Sequence, residues 1–252
     1  MSVPVPYICE PPPAGAIFRE LWAPLDWLRT LTQFIRLKQV RSGKQRPIML
    51  LPGYSHGHFS MTPLKRFLRY KGYDMYDWGI GRNEGHFDVY IQTVGERVDA
   101  LSEELGEPIT LIGWSLGGAI AREIARLRPS SVREVITMGT PLIGGPKYTS
   151  GAAKFASDHG IDIEGFELEV HERNSAGLKQ PLTVIYTKTD GVVGWTAAVD
   201  LYNRHARNIC VKSTHFGLGI NADVWVIIAE TLATLEAPVP HQLSLEQANC
   251  AG

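Results

Sequence analysis

The chain has 252 residues, enough for one large α/β domain or two small ones at roughly 150 residues per domain. Lys and Arg total 25 against 26 Asp and Glu, a formal net charge of −1, which excludes nucleic acid as the main partner because phosphate binding leaves a basic surplus. A content of 44% hydrophobic and 20% charged residues excludes whole-chain disorder, and Cys9, Cys210 and Cys250 form neither a disulfide framework nor a zinc pattern. Cys210, in an apolar run, reads as a small buried hydrophobe, and a reducing cytoplasm is the default compartment.

In chain order, the opening MSVPVPYICEPPPAG lacks the basic start and unbroken apolar stretch of a secretory signal. No segment reaches the ~18 apolar residues of a membrane span. Residues 1–13 are Pro-rich and extended. Residues 14–39 place Ile17, Phe18, Leu21, Leu25, Leu28, Leu31, Phe34 and Ile35 mostly three or four apart, a helical stripe that Pro24 should start, kink or split. Arg19, Glu20, Asp26, Arg29 and Arg36 interrupt it. We expect residues 1–46 to form an N-terminal helical segment packed on the domain. A membrane-surface contact or a dimer contact through residues 14–39 is the other reading, and oligomeric state stays open.

From residue 47 short apolar runs alternate with helical patterns. Strands are expected at Pro47–Leu51, Gly72–Trp78, Pro108–Ile112, Val132–Met138, Leu182–Thr187 and Asn208–Val211, and helices at 88–105, 115–128, near 196–203 and at 222–234. Such alternation implies a doubly wound, mostly parallel sheet of about six strands over residues 47–236. Runs without strict alternation fit strands covered on both faces. Residues 142–180 are too long for an ordinary connection and read as a small cap-like insertion. Residues 237–252 read as a loose tail.

Gly113-Trp114-Ser115-Leu116-Gly117 fits the G-x-S-x-G elbow, a sharp turn from strand to helix that presents serine at the top of a sheet. Serine is a weak nucleophile and needs a base held by a third group. Among His159, His171, His205, His215 and His241, only His215 follows the last strand by a few residues, in a glycine-containing loop. Asp190 ends the fifth strand in TKTDGVV, whereas Asp200 falls inside the expected helix. Catalytic residues are therefore expected at Ser115, Asp190 and His215. Two backbone N–H donors must face the oxyanion of a tetrahedral intermediate. Leu116, at the positive end of its helix, and Tyr54, beside Gly53, are assigned to them. Trp114, Leu142, Ile143, Val192 and Val193, with Trp195 a weaker choice, are expected to line an apolar acyl pocket. His56 and His58 hint at a metal, but no further ligands are recognisable, so no metal or cofactor is assigned.

Together the segments LLPGY, DWGIGRNEG, LIGWSLGG, ITMGTP, TKTDGVV and STHFGLGIN resemble the α/β-hydrolase superfamily over roughly residues 45–235, and a bacterial lipase- and esterase-like branch within it. The resemblance implies the α/β-hydrolase fold, the triad on Ser115, Asp190 and His215, and oxyanion donors on Tyr54 and Leu116. Two departures stand out. Pro52-Gly53 replaces the His-Gly of many esterases, and no room precedes residue 45 for extra antiparallel strands, so the N-terminal segment is expected to cover the exposed edge. The expected activity is hydrolysis of a small-molecule carboxylic ester. Acyl transfer to an alcohol or amine by the same triad, or a non-catalytic binding module on the fold, are the alternatives.

Overall fold

The computed structural model describes residues 9–43 and 45–234; the tail expected at 237–252, His241 and Cys250 lie outside them. Six strands, β1 (Pro47–Leu51), β2 (Asp74–Asp77), β3 (Ile109–Trp114), β4 (Val132–Met138), β5 (Leu182–Tyr186) and β6 (Arg207–Cys210), form one sheet in the order β2-β1-β3-β4-β5-β6. Every pairing is parallel. β1, β3 and β5 are buried along their whole length, which is why their sequences are unbroken apolar runs. The eight helices are α1 (Ala23–Thr32), α2 (Phe34–Gln39), α3 (Thr62–Tyr70), α4 (Phe87–Leu105), α5 (Leu116–Leu127), α6 (Ala152–His159), α7 (Ile163–Ser175) and α8 (Ala222–Thr234) among the described residues.

Successive side chains of a strand face opposite sides, and β1 divides accordingly. Ile48 and Leu50 join a core with Leu64, Phe67 and Leu68 of α3 and Trp225, Ile228 and Leu232 of α8. Met49 and Leu51 join a second core with Val94 and Val98 of α4 and Ile120 and Ile124 of α5. Helices therefore cover both faces, as the alternating pattern implies. α3 is an addition to the expected elements. Pro63 sits in its first turn, where a missing N–H costs nothing, and its buried Leu64, Phe67 and Leu68 hold it to the sheet.

Three expectations are corrected. The helix expected near 196–203 is a 3-10 turn, Trp195–Ala198, followed by irregular chain. The Asp200 carboxylate accepts from the Tyr202 and Asn203 N–H groups at 3.0 and 2.8 Å, a local bond that competes with helix formation. Cys210 is only half-buried rather than fully buried; among the described residues Cys9 is a free cysteine. Finally, the N-terminal segment packs chiefly on α8 and the loop after β6, not along an edge strand. Its Thr30 hydroxyl donates to the Ile220 carbonyl at 2.6 Å. No helix among the described residues is long and apolar enough to cross a membrane.

Glu134 on β4 is 1% exposed and accepts from the Thr110 hydroxyl at 3.1 Å. Burial pushes its carboxyl up from 4.5 to about 7, against the pull of Thr110, Arg46 and Arg133. The folded state therefore holds a proton that the unfolded chain releases. This contribution to stability is complete below pH ~4.5 and is lost as pH rises through ~7. Glu134→Gln should match the wild type at pH 4 and be more stable at pH 8, by at most about 3.5 kcal/mol at ~1.4 kcal/mol per unit. Urea unfolding at the two pH values checks this; equal stabilities at pH 8 would contradict it.

Candidate active site

β3 runs into α5 through Ser115, whose backbone sits at φ 53°, ψ −126°. This is a region that residues with side chains avoid and that is held only when the surroundings dictate it. The Ser115 N–H donates to the Met138 carbonyl at 2.8 Å. The flanking glycines are steric requirements. A Cβ on Gly113 would lie 2.3 Å from Gly118 Cα, one on Gly117 2.2 Å from the Leu51 carbonyl oxygen, and one on Gly118 2.0 Å from Thr140 Oγ1. The turn sets Ser115 on the wall of a cavity of about 310 Å³.

The loop after β1 closes one side. A Cβ on Gly53 would stand 3.1 Å from Ser115 Cβ, so the glycine lets this backbone pass close to the serine without a tight contact. Tyr54 and Leu116 both line the cavity, and Leu116 begins α5, where the N–H has no partner within the helix. Asn83, fully buried, braces the loop. Its Nδ2 donates to the Pro52 carbonyl at 2.8 Å, its N–H donates to His56 O at 2.9 Å, and its carbonyl accepts from the Ser55 N–H at 2.7 Å. The sequence reading missed it; the available signal was an asparagine inside the glycine-rich GIGRNEG.

Asp190 follows β5 and His215 follows β6. Both side chains are buried. Asp190 Oδ1 accepts from the Val192 and Val193 N–H groups at 2.8 and 2.7 Å, which turns Oδ2 toward the ring. Oδ2 lies 2.8 Å from His215 Nδ1. A carboxylate only accepts, so Nδ1 carries the proton and Nε2 is left basic. His215 lines the same cavity as Ser115. Trp114 also lines it, and its indole N–H donates to the His215 carbonyl at 3.2 Å.

Asp200 is elsewhere, in a buried ion pair with Arg122 of α5; the Arg122 guanidinium also donates to Asn174 Oδ1 at 3.0 Å. Leu142 and Val192 line the cavity, and Ile143, Val193 and Trp195 do not. Ile143 and Val193 are fully buried in the body of the protein, and Trp195 stacks on Tyr186. His171 meets the Tyr202 hydroxyl at 3.0 Å. His56 Nδ1 donates to the Tyr54 carbonyl at 2.7 Å and His58 packs on Phe59. Among the described residues no group of three His, Cys, Asp or Glu side chains could hold a metal ion. From the insertion, Phe155 of α6 and Phe166 and Val170 of α7 also line the cavity.

Glu20, in a 3-10 turn (Ala16–Trp22) of the N-terminal segment, is the least expected member. It is 7% exposed. Its Oε1 accepts from the Gly191 and His215 N–H groups at 2.8 and 3.0 Å, and its Oε2 from the Phe216 N–H at 2.8 Å. One carboxylate thus ties together the loops carrying Asp190 and His215. Asp26 supports the second loop by accepting from the Ser213 hydroxyl at 3.0 Å and from Asn221 Nδ2 at 2.8 Å. Nothing in the local sequence separates these two carboxylates from surface acids, since Arg19, Arg29 and Arg36 interrupt the same stripe. Glu20→Gln should turn an amide donor toward a backbone donor and lower unfolding stability by about 2 kcal/mol, the scale of a hydrogen bond to a charged group. A loss under ~0.5 kcal/mol in urea unfolding, the scale of an ordinary surface change, would mean the clamp contributes nothing.

Comparison with known proteins bears on this arrangement. Residues 48–242 match the model of the alpha/beta hydrolase family. A monoacylglycerol lipase from Paleococcus ferrophilus superposes with a TM-score of 0.55 at 18% identity, over 77% of this chain and 98% of that one. A putative aryl esterase from Burkholderia cenocepacia gives 0.57 at 13% identity, over 77% and 92%. A putative non-heme bromoperoxidase from Mycobacterium tuberculosis gives 0.58 at 18% identity, over 78% and 95%. At these identities the likeness is one of fold. None of the curated proteins compared with the chain matches it.

Proposed function

The chain belongs to the alpha/beta hydrolase family, and on that premise we propose that it hydrolyses carboxylic esters with Ser115, His215 and Asp190. The observation that carries the reading is the Asp190–His215 pair at 2.8 Å, set on the cavity wall that Ser115 shares.

In this mechanism His215 Nε2 takes the Ser115 hydroxyl proton as Oγ bonds to the ester carbonyl carbon. Asp190 keeps Nδ1 protonated and stabilises the imidazolium. The oxyanion that forms is held by the N–H groups of Leu116 and Tyr54, in a site already oriented before charge develops. The tetrahedral species collapses, the carbon–alkoxy oxygen bond breaks, and His215 gives its proton to the departing alcohol. Water, deprotonated by His215, then cleaves the acyl-enzyme and restores Ser115. Family membership supports a hydrolase, the lipase and esterase among its structural neighbours support an ester, and the apolar wall of Trp114, Leu142, Val192, Phe155 and Phe166 suits an acyl chain. Residues 142–180 act as a cap: Phe155 and Phe166 line the cavity that Ser115 lines, so they set acyl preference more than rate.

Ser115→Ala should lose roughly 10⁴-fold or more in turnover of p-nitrophenyl esters, because triad members act as a unit. Asp190→Asn should lose on the order of 10⁴ by favouring the wrong histidine tautomer. Asp200→Asn should instead act on stability, by stranding the Arg122 charge, with turnover per folded molecule retained. Near-normal turnover of Ser115→Ala, or damage by Asp200→Asn in place of Asp190→Asn, would overturn the assignment. For the cap, Phe155→Ala and Phe166→Ala should shift the optimum along a short-to-long ester series. An unchanged profile in both folded variants would move selectivity to the walls below.

A further inference from the structure

Residues 14–43 lie outside the family match and have two unlike faces. Inward, Glu20, Asp26, Thr30 and Leu37 are buried. Outward, ten large apolar side chains between Ile17 and Ile35 are exposed, and Leu21 and Ile35 are 74% and 73% exposed. Single exposed leucines are ordinary on a protein surface, but ten exposed large apolar side chains within one short segment mark something that covers them.

Charge selects the occupant. Both carboxylates of the segment, Glu20 and Asp26, are turned inward onto the active-site loops, while Arg19, Arg29, Arg36, Lys38 and Arg41 are all exposed. Arg36 is tied to Asp223. The segment's outward side is thus apolar and cationic, with no exposed acid of its own and Asp223 of α8 as the partner of Arg36, on a chain whose formal net charge is −1. A second copy seated on this face would oppose cations to cations, which is costly. A bilayer with anionic headgroups supplies an apolar interior and the opposite charge together. Trp22 and Trp27, both exposed, suit the boundary between the two.

The face also adjoins the cavity. Ile17 lies on it and lines the same cavity that Phe216 lines; Phe216 is partly exposed and its N–H is held by Glu20. We infer that residues 14–43 dock the protein on an anionic lipid surface, and that its ester substrates are lipid-soluble molecules entering from that surface past Ile17 and Phe216. The second clause rests on the ester-hydrolase reading; the first does not.

The test is co-sedimentation of the full chain with vesicles of phosphatidylcholine alone or with roughly one-third phosphatidylglycerol. Wild type and Ser115→Ala should both bind the anionic vesicles and bind the neutral ones far more weakly. Leu21→Ser with Ile35→Ser should cut binding at least ~10-fold through lost apolar burial. Arg29→Gln with Lys38→Gln should cut binding to anionic vesicles by roughly 25-fold, at ~5-fold per charge, and leave neutral vesicles unaffected. All four substitutions are on the outer face, so hydrolysis of a water-soluble short-chain ester should hold at the wild-type rate. Absence of wild-type binding to anionic vesicles, or equal binding by both double variants, overturns the proposal. So does a dimer in light scattering that Leu21→Ser with Ile35→Ser dissociates, which would make a second copy the occupant. Vesicle binding by a wild type that hydrolyses no ester would leave docking intact and fail the catalytic reading alone.

Discussion

The turn at Ser115 constrains everything around it. A non-glycine residue at φ 53° stays there because β3 holds one side, α5 the other, and the glycines at 113, 117 and 118 leave room for neither slack nor side chains. Their missing Cβ atoms would fall inside Leu51, Thr140 and one another. β1 and β4 must therefore lie where they do, next to β3, so that Leu51 and Met138 frame the turn. Central position in the sheet and local strain are one fact seen at two scales. The strained backbone is held at the centre of the parallel sheet, where β1 and β3 are buried along their whole length.

Around the turn, buried carboxylates organise the loops by accepting backbone N–H groups. Asp190 uses one oxygen on Val192 and Val193 and so offers the other to His215. Glu20 spans Gly191, His215 and Phe216. Asp200 orders the chain after Ala198 and neutralises Arg122. Loops at the C-terminal ends of parallel strands have no ladder of their own to satisfy their donors, and unpaired buried donors are costly. Each acid removes that cost at a defined place. The N-terminal segment thereby braces the loops that carry Asp190 and His215 from its inner side, while its outer side is apolar and cationic.

Legibility in the sequence followed the range of the interactions. β1 and β4 were readable to the residue, and the elbow was readable because its glycines and serine are adjacent in the chain. Asp190 and His215 were readable from strand ends, which topology places on one side of the sheet. The failures are long-range or competitive. Glu20 acts across nearly two hundred positions of chain, and nothing local separates it from a surface acid. Ile143 and Val193 look like pocket residues by neighbourhood, yet both are fully buried and neither lines the cavity. The helix expected near 196–203 has apolar spacing but loses its turns to the Asp200 carboxylate. Asn83 shows its role only once the β1 and β2 loops are seen side by side.

The most direct test of the central claim is covalent labelling of the intact protein with a fluorophosphonate, followed by peptide mass spectrometry. Such a reagent phosphonylates a serine only where a base removes its proton and an oxyanion site receives the new charge. The account predicts one adduct per chain, on Ser115, and none on Asp190→Asn under the same exposure. An unlabelled wild type, or an adduct on any other serine, would contradict it.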